Sequence, residues 1–161
     1  MKKTVVLGCL LISLVSVHAQ DYGTALGFRF GGPTGFTVKH FLTATTALDG
    51  ILGVWDYGGT GFSVTGLYEM HKSLDPQNLK LYYGGGAHVG VWDHYYNPHW
   101  DRTYGGSFFG IDGVVGIEYT IKEIPLSLAL DWNPRFTFYS DGDAWPQFGY
   151  AGLSVRYTMK K

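Results

Sequence analysis

The chain has 161 residues, with 12 Lys and Arg against 13 Asp and Glu and a formal net charge of −1. No basic cluster stands out, so a nucleic-acid surface is excluded, and the lone cysteine, Cys9, excludes a disulfide framework. Glycine is abundant at 24 residues, aromatics make up 17%, and no amphipathic run keeps a helical period beyond a turn or two, which points to an all-β chain with tight curvature.

The first segment reads as a secretory signal. Lys2 and Lys3 supply a positive start, residues 5–17 are apolar apart from Ser13 and Ser16, and Val17-His18-Ala19 places small residues at the −3 and −1 positions of a cleavage site before Gln20. The apolar run is too short to span a bilayer. Gly8-Cys9 has too little hydrophobic sequence before it to serve as a lipidation box. Residues 1–19 are therefore expected to be removed. Residues 20–161 then form one domain with a formal net charge of −3 and no thiol.

Eight stretches of alternating apolar and polar residues follow, each of about the roughly 9–11 residues that a tilted strand needs to cross a membrane. The first covers residues 22–30, with Tyr22, Thr24, Leu26, Phe28 and Phe30 on one face and Ala25 and Arg29 on the other. Gly31-Gly32-Pro33-Thr34 is a turn. The second, residues 35–43, sets Phe36, Val38, His40 and Leu42 against Thr37, Lys39 and Phe41. The third, 47–55, sets Leu48, Leu52 and Val54 against Asp49 and Ile51, and a loop over 56–60 leads to the fourth, 61–70. There Phe62, Val64 and Tyr68 oppose Ser63, Thr65 and Glu69.

A polar connection is expected over 71–78. The fifth strand, 79–92, has Leu81, Tyr83, Val89 and Val91 on one face and Lys80, Tyr82 and His88 on the other. The longest loop is expected at 93–107. The sixth strand, 108–122, opposes Phe109, Ile111, Val115, Ile117 and Tyr119 to Asp112 and Glu118. The seventh starts at Leu126, opposes Leu128, Leu130 and Trp132 to Asp131, and runs less regularly to Phe138. A loop over 140–146 precedes the eighth, 147–158, where Leu153, Val155 and Tyr157 oppose Tyr150, Ser154 and Arg156.

The charges take one side. Arg29, Lys39, Lys80 and Arg156 share the polar faces with Asp49, Glu69, Asp112, Glu118 and Asp131. Four positive and five negative charges come close to cancelling, as a small filled interior requires, because a buried unpaired charge is very costly. The apolar faces are almost free of charge, with His40, near mid-strand in this register, as the exception. Tyr22, Tyr68, Tyr119 and Tyr157 fall on the apolar face at one end of their strands, where amphipathic rings favour a membrane–water boundary.

With its signal, its eight alternating stretches and segments such as Gly110-Ile-Asp-Gly-Val-Val-Gly-Ile-Glu-Tyr119 and Phe148-Gly-Tyr-Ala-Gly-Leu-Ser-Val-Arg-Tyr157, the chain resembles the small eight-stranded outer-membrane β-barrel family, the group of OmpX and the OmpA membrane domain. The resemblance covers residues 21–159 and implies a closed eight-stranded antiparallel transmembrane β-barrel with a filled interior, in the outer membrane of a diderm bacterium. It also implies outer-membrane lipid and, during biogenesis, the barrel-assembly machinery as partners. The family usually ends in an aromatic residue, whereas this chain ends Tyr157-Thr158-Met159-Lys160-Lys161.

An eight-stranded interior has room only for side chains, so no wide pore is expected. Some relatives modify lipid A, which keeps a barrel enzyme as the alternative, together with a soluble periplasmic ligand-binding barrel. The best interior pair for catalysis is His88 with Asp112. Ser63, Ser127 and Ser154 lie on other strands, so a structural histidine and no catalytic residue are expected. Asp93-His94 and His99-Trp100-Asp101 match no metal motif, and neither a metal nor a cofactor is expected. The aromatics of the long loop, Tyr95, Tyr96, Trp100 and Tyr104, form the candidate binding surface, toward a surface glycan or a protein.

Overall fold

The computed structural model describes residues 22–56, 60–74, 78–97, 102–121, 123–140 and 142–159; the expected signal, residues 1–19, lies outside them. Among the described residues ten strands form: β1 (Thr24–Gly31), β2 (Thr34–Phe41), β3 (Thr46–Asp56), β4 (Thr60–Leu74), β5 (Leu79–Asn97), β6 (Arg102–Ile121), β7 (Leu126–Trp132), β8 (Arg135–Tyr139), β9 (Ala144–Gln147) and β10 (Ala151–Met159). Every ladder is antiparallel, and β5–β6 and β1–β10 close the sheet on itself. β7 and β8 both pair with β6 and make up one stave; β9 and β10 make up the next. The architecture is thus an all-β closed barrel of eight antiparallel staves.

The register sets the barrel's tilt. From Tyr157 on β10 one ladder step reaches Leu126 on β7. The other way round, through Leu26, Val38, Gly50, Gly66, Ala87 and Ile111, the ladder arrives at Phe136 on the same stave, ten residues further along. Eight strands with that stagger tilt by roughly 40° and enclose an interior that side chains fill.

Alternation decides which side chains enter. Ala25, Arg29, Thr37, Lys39, Asp49, Ile51, Leu67, Glu69, Tyr82 and Ala129 are buried, while Phe28, Leu48, Val64, Val89, Ile111, Leu130 and Leu153, on the other phase of the same strands, are exposed on the outer wall. His40 belongs to the outer phase. It lies next to the end of β2 rather than mid-strand, opposite Thr24, whose Oγ1 is 2.8 Å from His40 Nδ1.

Several sequence expectations are corrected. Tyr22 is 2% exposed and faces inward, not outward with Tyr68, Tyr119 and Tyr157; it precedes β1, and Gly23 interrupts the period so that both residues are buried. The polar connection after strand four is shorter than residues 71–78, because β4 continues to Leu74 and pairs His71 with Tyr82. The long loop over 93–107 is largely strand: β5 runs to Asn97 and β6 starts at Arg102, with Tyr95 opposite Tyr104. A register shift between Trp92 and Tyr95 breaks the alternation there and hides the strand from a period-two reading. The loop over 140–146 contains most of β9, and the eighth stave is interrupted at residues 148–150.

Candidate functional site: the charged lumen

Among the described residues the lumen gathers the buried charges, in three tiers that each pair cations with carboxylates. Lys39 anchors the tier nearest the termini. Its Nζ lies 2.7 Å from Glu69 Oε2, 3.1 Å from Glu118 Oε2 and 3.9 Å from Asp49 Oδ2. Arg156 closes the ring, donating from Nη2 to Asp49 Oδ2 at 2.6 Å and from Nε to Thr37 Oγ1 at 3.1 Å. The Thr37 hydroxyl in turn donates to Asp49 Oδ1 at 2.6 Å, and the Tyr22 hydroxyl donates to Glu118 Oε1 at 2.6 Å. Lys80 stands opposite Glu118 in the β5–β6 ladder, with Nζ 5.3 Å from the centre of the Phe41 ring. Three cations thus face three carboxylates.

This tier also sandwiches an imidazole. His71 Nε2 is 3.0 Å from Glu69 Oε2, and its ring lies nearly parallel to Tyr82 at 5.3 Å and against Phe41 at 4.8 Å. Tyr82 in turn offers its π-face to Lys39 Nζ at 4.2 Å, a contact that gains strength where water is excluded.

The middle tier is one bidentate pair. Arg29 Nη1 and Nη2 each donate to an Asp131 oxygen at 2.6 Å, and the Tyr82 hydroxyl adds a third donor to Asp131 at 2.9 Å. The guanidinium lies where a side chain at residue 152 would stand: a Cβ on Gly152 would come within 2.2 Å of Arg29 Cζ. A Cβ on Gly116 would meet the Tyr82 ring at 2.6 Å. Two glycines therefore supply the room for the two long side chains.

The far tier is built around Asp112. His88 Nδ1 lies 2.6 Å from Asp112 Oδ2, and Arg135 Nε is 3.3 Å from Asp112 Oδ1. His88 Nε2 is 3.1 Å from Thr137 Oγ1. Arg135 Nη2 donates to Asn133 Oδ1 at 2.7 Å, and its guanidinium carbon sits 4.4 Å from the centre of the Tyr150 ring.

All nine charged residues singled out from the sequence lie buried in the lumen, Glu118 and Arg156 among the most deeply. Sequence reasoning missed Arg135, which brings the buried charges among the described residues to five of each sign. The signal was present: Asp131, Asn133, Arg135 and Thr137 keep the inward phase without interruption, and all four are buried. Pro134 obscured it, because proline argues against a strand interior. The chain accommodates Pro134 by lending its own carbonyl to Gly113 N–H at 2.8 Å, while Asn133 Nδ2 donates to Gly113 O at 2.6 Å.

Asp112, His88 and Thr137 stand in the order carboxylate, imidazole, hydroxyl that nucleophilic catalysis uses, and Thr137 occupies the place for which no serine was found in the sequence. The three groups are also engaged by their surroundings. Thr137 Oγ1 donates to Gln147 Oε1 at 3.3 Å, the Phe108 ring leans on His88 at 5.8 Å, and the side chains of His88 and Asp112 are fully shielded. The arrangement satisfies three polar groups that burial would otherwise penalise.

Of the candidate aromatic surface, Tyr95 and Tyr96 lie in the last part of β5 and Tyr104 in the first part of β6, so three of the four sit on a hairpin rising from the end opposite the termini. Their side chains and Trp100 lie outside the described residues.

No family model matches the sequence, and no curated protein does either. Among solved structures, the chain is similar to the crystal structure of the N-terminal β-barrel domain of Pseudomonas aeruginosa OprF. The TM-score is 0.64 at 15% identity, over 83% of this chain and 93% of that one.

Proposed function

We propose that this chain is an integral outer-membrane β-barrel protein of a diderm bacterium, exported through a cleaved signal, with a structural or surface-recognition role, no catalytic activity and no wide pore. The observation that carries this reading is the inversion of the usual burial pattern: charges fill the inside while Phe28, Phe62, Phe109, Ile111, Leu130 and Leu153 cover the outside. A soluble barrel would expose that apolar wall to water, whereas lipid solvates it at no cost. The likeness in fold to the OprF barrel domain supports the same reading. Tyr68, Tyr119 and Tyr157, outward and exposed, suit the boundary nearest the termini, which is then periplasmic.

A filled lumen speaks against conduction. Arg29, Arg156, Tyr82, Lys39 and Lys80 are among the largest fully buried side chains, and they occupy the cross-section that an eight-stranded barrel offers. Recognition then falls to the outer hairpins, of which the β5–β6 hairpin with Tyr95, Tyr96, Trp100 and Tyr104 is the longest; a surface glycan or a protein is its expected partner.

Cell fractionation and gel migration test the location. The protein is expected with the outer membrane and migrates differently boiled and unboiled; recovery in the soluble periplasm with no such shift would overturn the reading. Crosslinking capture from intact cells tests the recognition role. Serine in place of the four aromatics is expected to lose the captured partner, and equal capture by wild type and variant would remove the hairpin as the interaction site.

A further inference from the structure

Among the described residues the barrel wall has an unpaired edge at β9. β1 and β2 are short, and their turn stops at Gly31–Thr34; beyond the Gly31–Gly152 pair this hairpin meets the eighth stave by Gly32 N–H donating to Ala151 O at 3.0 Å and by the Tyr150 ring packed on Gly32. The seventh stave continues well beyond that level, through β8, and β9 follows it down. Among the described residues β9 has a ladder partner on one edge only.

The sequence of β9 fits an open edge. Tyr139 N–H donates to Asp143 O at 2.8 Å, so the bonded pairs of this ladder fall at Thr137/Trp145 and Arg135/Gln147, and Phe136/Pro146 is a non-bonded pair. The nitrogen of Pro146, which carries no proton, therefore faces the free edge, where proline is tolerated and blocks pairing with another strand. Trp145 stands on the inward phase beside the fully buried Thr137, yet it is 60% exposed; Phe148, below it, is 65% exposed. A Cβ on Gly149 would meet no atom within 4 Å. An inward position that is open, next to an unpaired edge, marks a notch in the wall.

The notch lies beside apolar outer surface. Phe136 and Phe138 on the neighbouring β8 pack in an aromatic cluster with Phe109, at 5.0 and 5.3 Å between ring centres, and Phe109 is exposed on the outer wall. On the membrane-barrel reading above, on which this inference rests, the lipid-facing surface runs without a break into the notch. Tyr150 forms its floor, with its ring where a Gly32 side chain would stand and against the Arg135 guanidinium.

We propose that this notch admits, from the side, an acyl chain of an outer-leaflet lipid, which rests against Trp145 and Phe148 and ends at Tyr150. The occupant follows from the surroundings: the notch opens where chains of lipid already cover the wall, and its rim is aromatic.

The test is photolabelling of the full chain reconstituted in phosphatidylcholine nanodiscs, with phosphatidylcholine carrying a diazirine on its acyl chain as the probe and labelled residues read by mass spectrometry. Labels are expected on outward Ile111 and Leu153, and also on Trp145 and Tyr150, but not on Tyr82 or Thr65. In the variant Gly149→Trp, which fills the open space at the rim, labelling of Tyr150 is expected to be lost while that of Ile111 is kept. Labels on outward residues alone would overturn the notch and leave the membrane barrel standing. Equal labelling of Tyr82 would overturn it as well, since the lumen would then be open throughout. No label on Ile111 or Leu153 would overturn the membrane reading and the notch with it.

Discussion

Arg29 and Asp131 meet inside the lumen, over the one stave that separates their strands, in a bidentate pair with both contacts at 2.6 Å, although 102 residues separate them in the chain. They belong to β1 and β7, and the stave between them passes beneath the pair at Gly152, which β1 reaches at Gly31 and β7 at Asp131.

Removing one partner leaves a shielded charge alone. Asp131→Ala is expected to destabilise the barrel by about 3–5 kcal/mol, whereas replacing both groups with apolar ones, as in Arg29→Met with Asp131→Leu, is expected to come back near wild type. Urea titration of the refolded protein in lipid vesicles, followed by tryptophan fluorescence, measures both. A double variant as unstable as the single one would show that the pair is not the cause.

Gly152→Ala is expected to cost roughly 1–3 kcal/mol by pushing the Arg29 guanidinium off its carboxylate. The cost disappears in an Arg29→Ala background, because the new methyl then enters the vacated space. A double-mutant cycle reads this as a coupling; additive effects would place the strain in the backbone instead.

Leu130 faces outward on β7, 55% exposed. In a membrane barrel Leu130→Arg is expected to cost about 2–4 kcal/mol if the residue lies near the bilayer midplane. On a soluble barrel the same exposed change would stay within about 0.5 kcal/mol. The same titration separates the two.

Asn133 satisfies three groups at the strand break beside Pro134: its side chain donates to Gly113 O and accepts from Arg135, and its N–H donates to Tyr150 O at 2.8 Å. Asn133→Ala keeps only the last of these, and a loss of about 1–3 kcal/mol is expected from the buried groups left unpaired. Hydrogen exchange should show the loosening confined to residues 133–135 and 148–150. Exchange unchanged there would mean that water replaces the amide.

The side that each strand residue takes was readable along the chain, because a period of two needs no knowledge of neighbours. This is why Lys39, Glu69 and Arg156 could be placed inward from sequence. The period was lost wherever the ladder is irregular: at the Trp92–Tyr95 register shift, at Tyr22 before the first pair, and over residues 148–150. Pro134 misled for a different reason. A proline reads as a stop, yet here a carbonyl and an asparagine take over the missing ladder bonds, and Arg135 enters the lumen behind them.

By itself the sequence determined the all-β class, the eight staves and the division of residues between two faces, all of which follow from local alternation and turn chemistry. Only the tertiary structure decided which charges meet. Closing the sheet with a ten-residue stagger sets the height of every inward residue, so Arg29 finds Asp131 and His88 finds Thr137 across strands that are not neighbours in the chain. The same closure leaves the short β1–β2 hairpin below the reach of β9. Among the described residues the outer edge of β9 is left unpaired, because hydrogen bonding in a barrel extends only as high as the shorter of two adjoining staves.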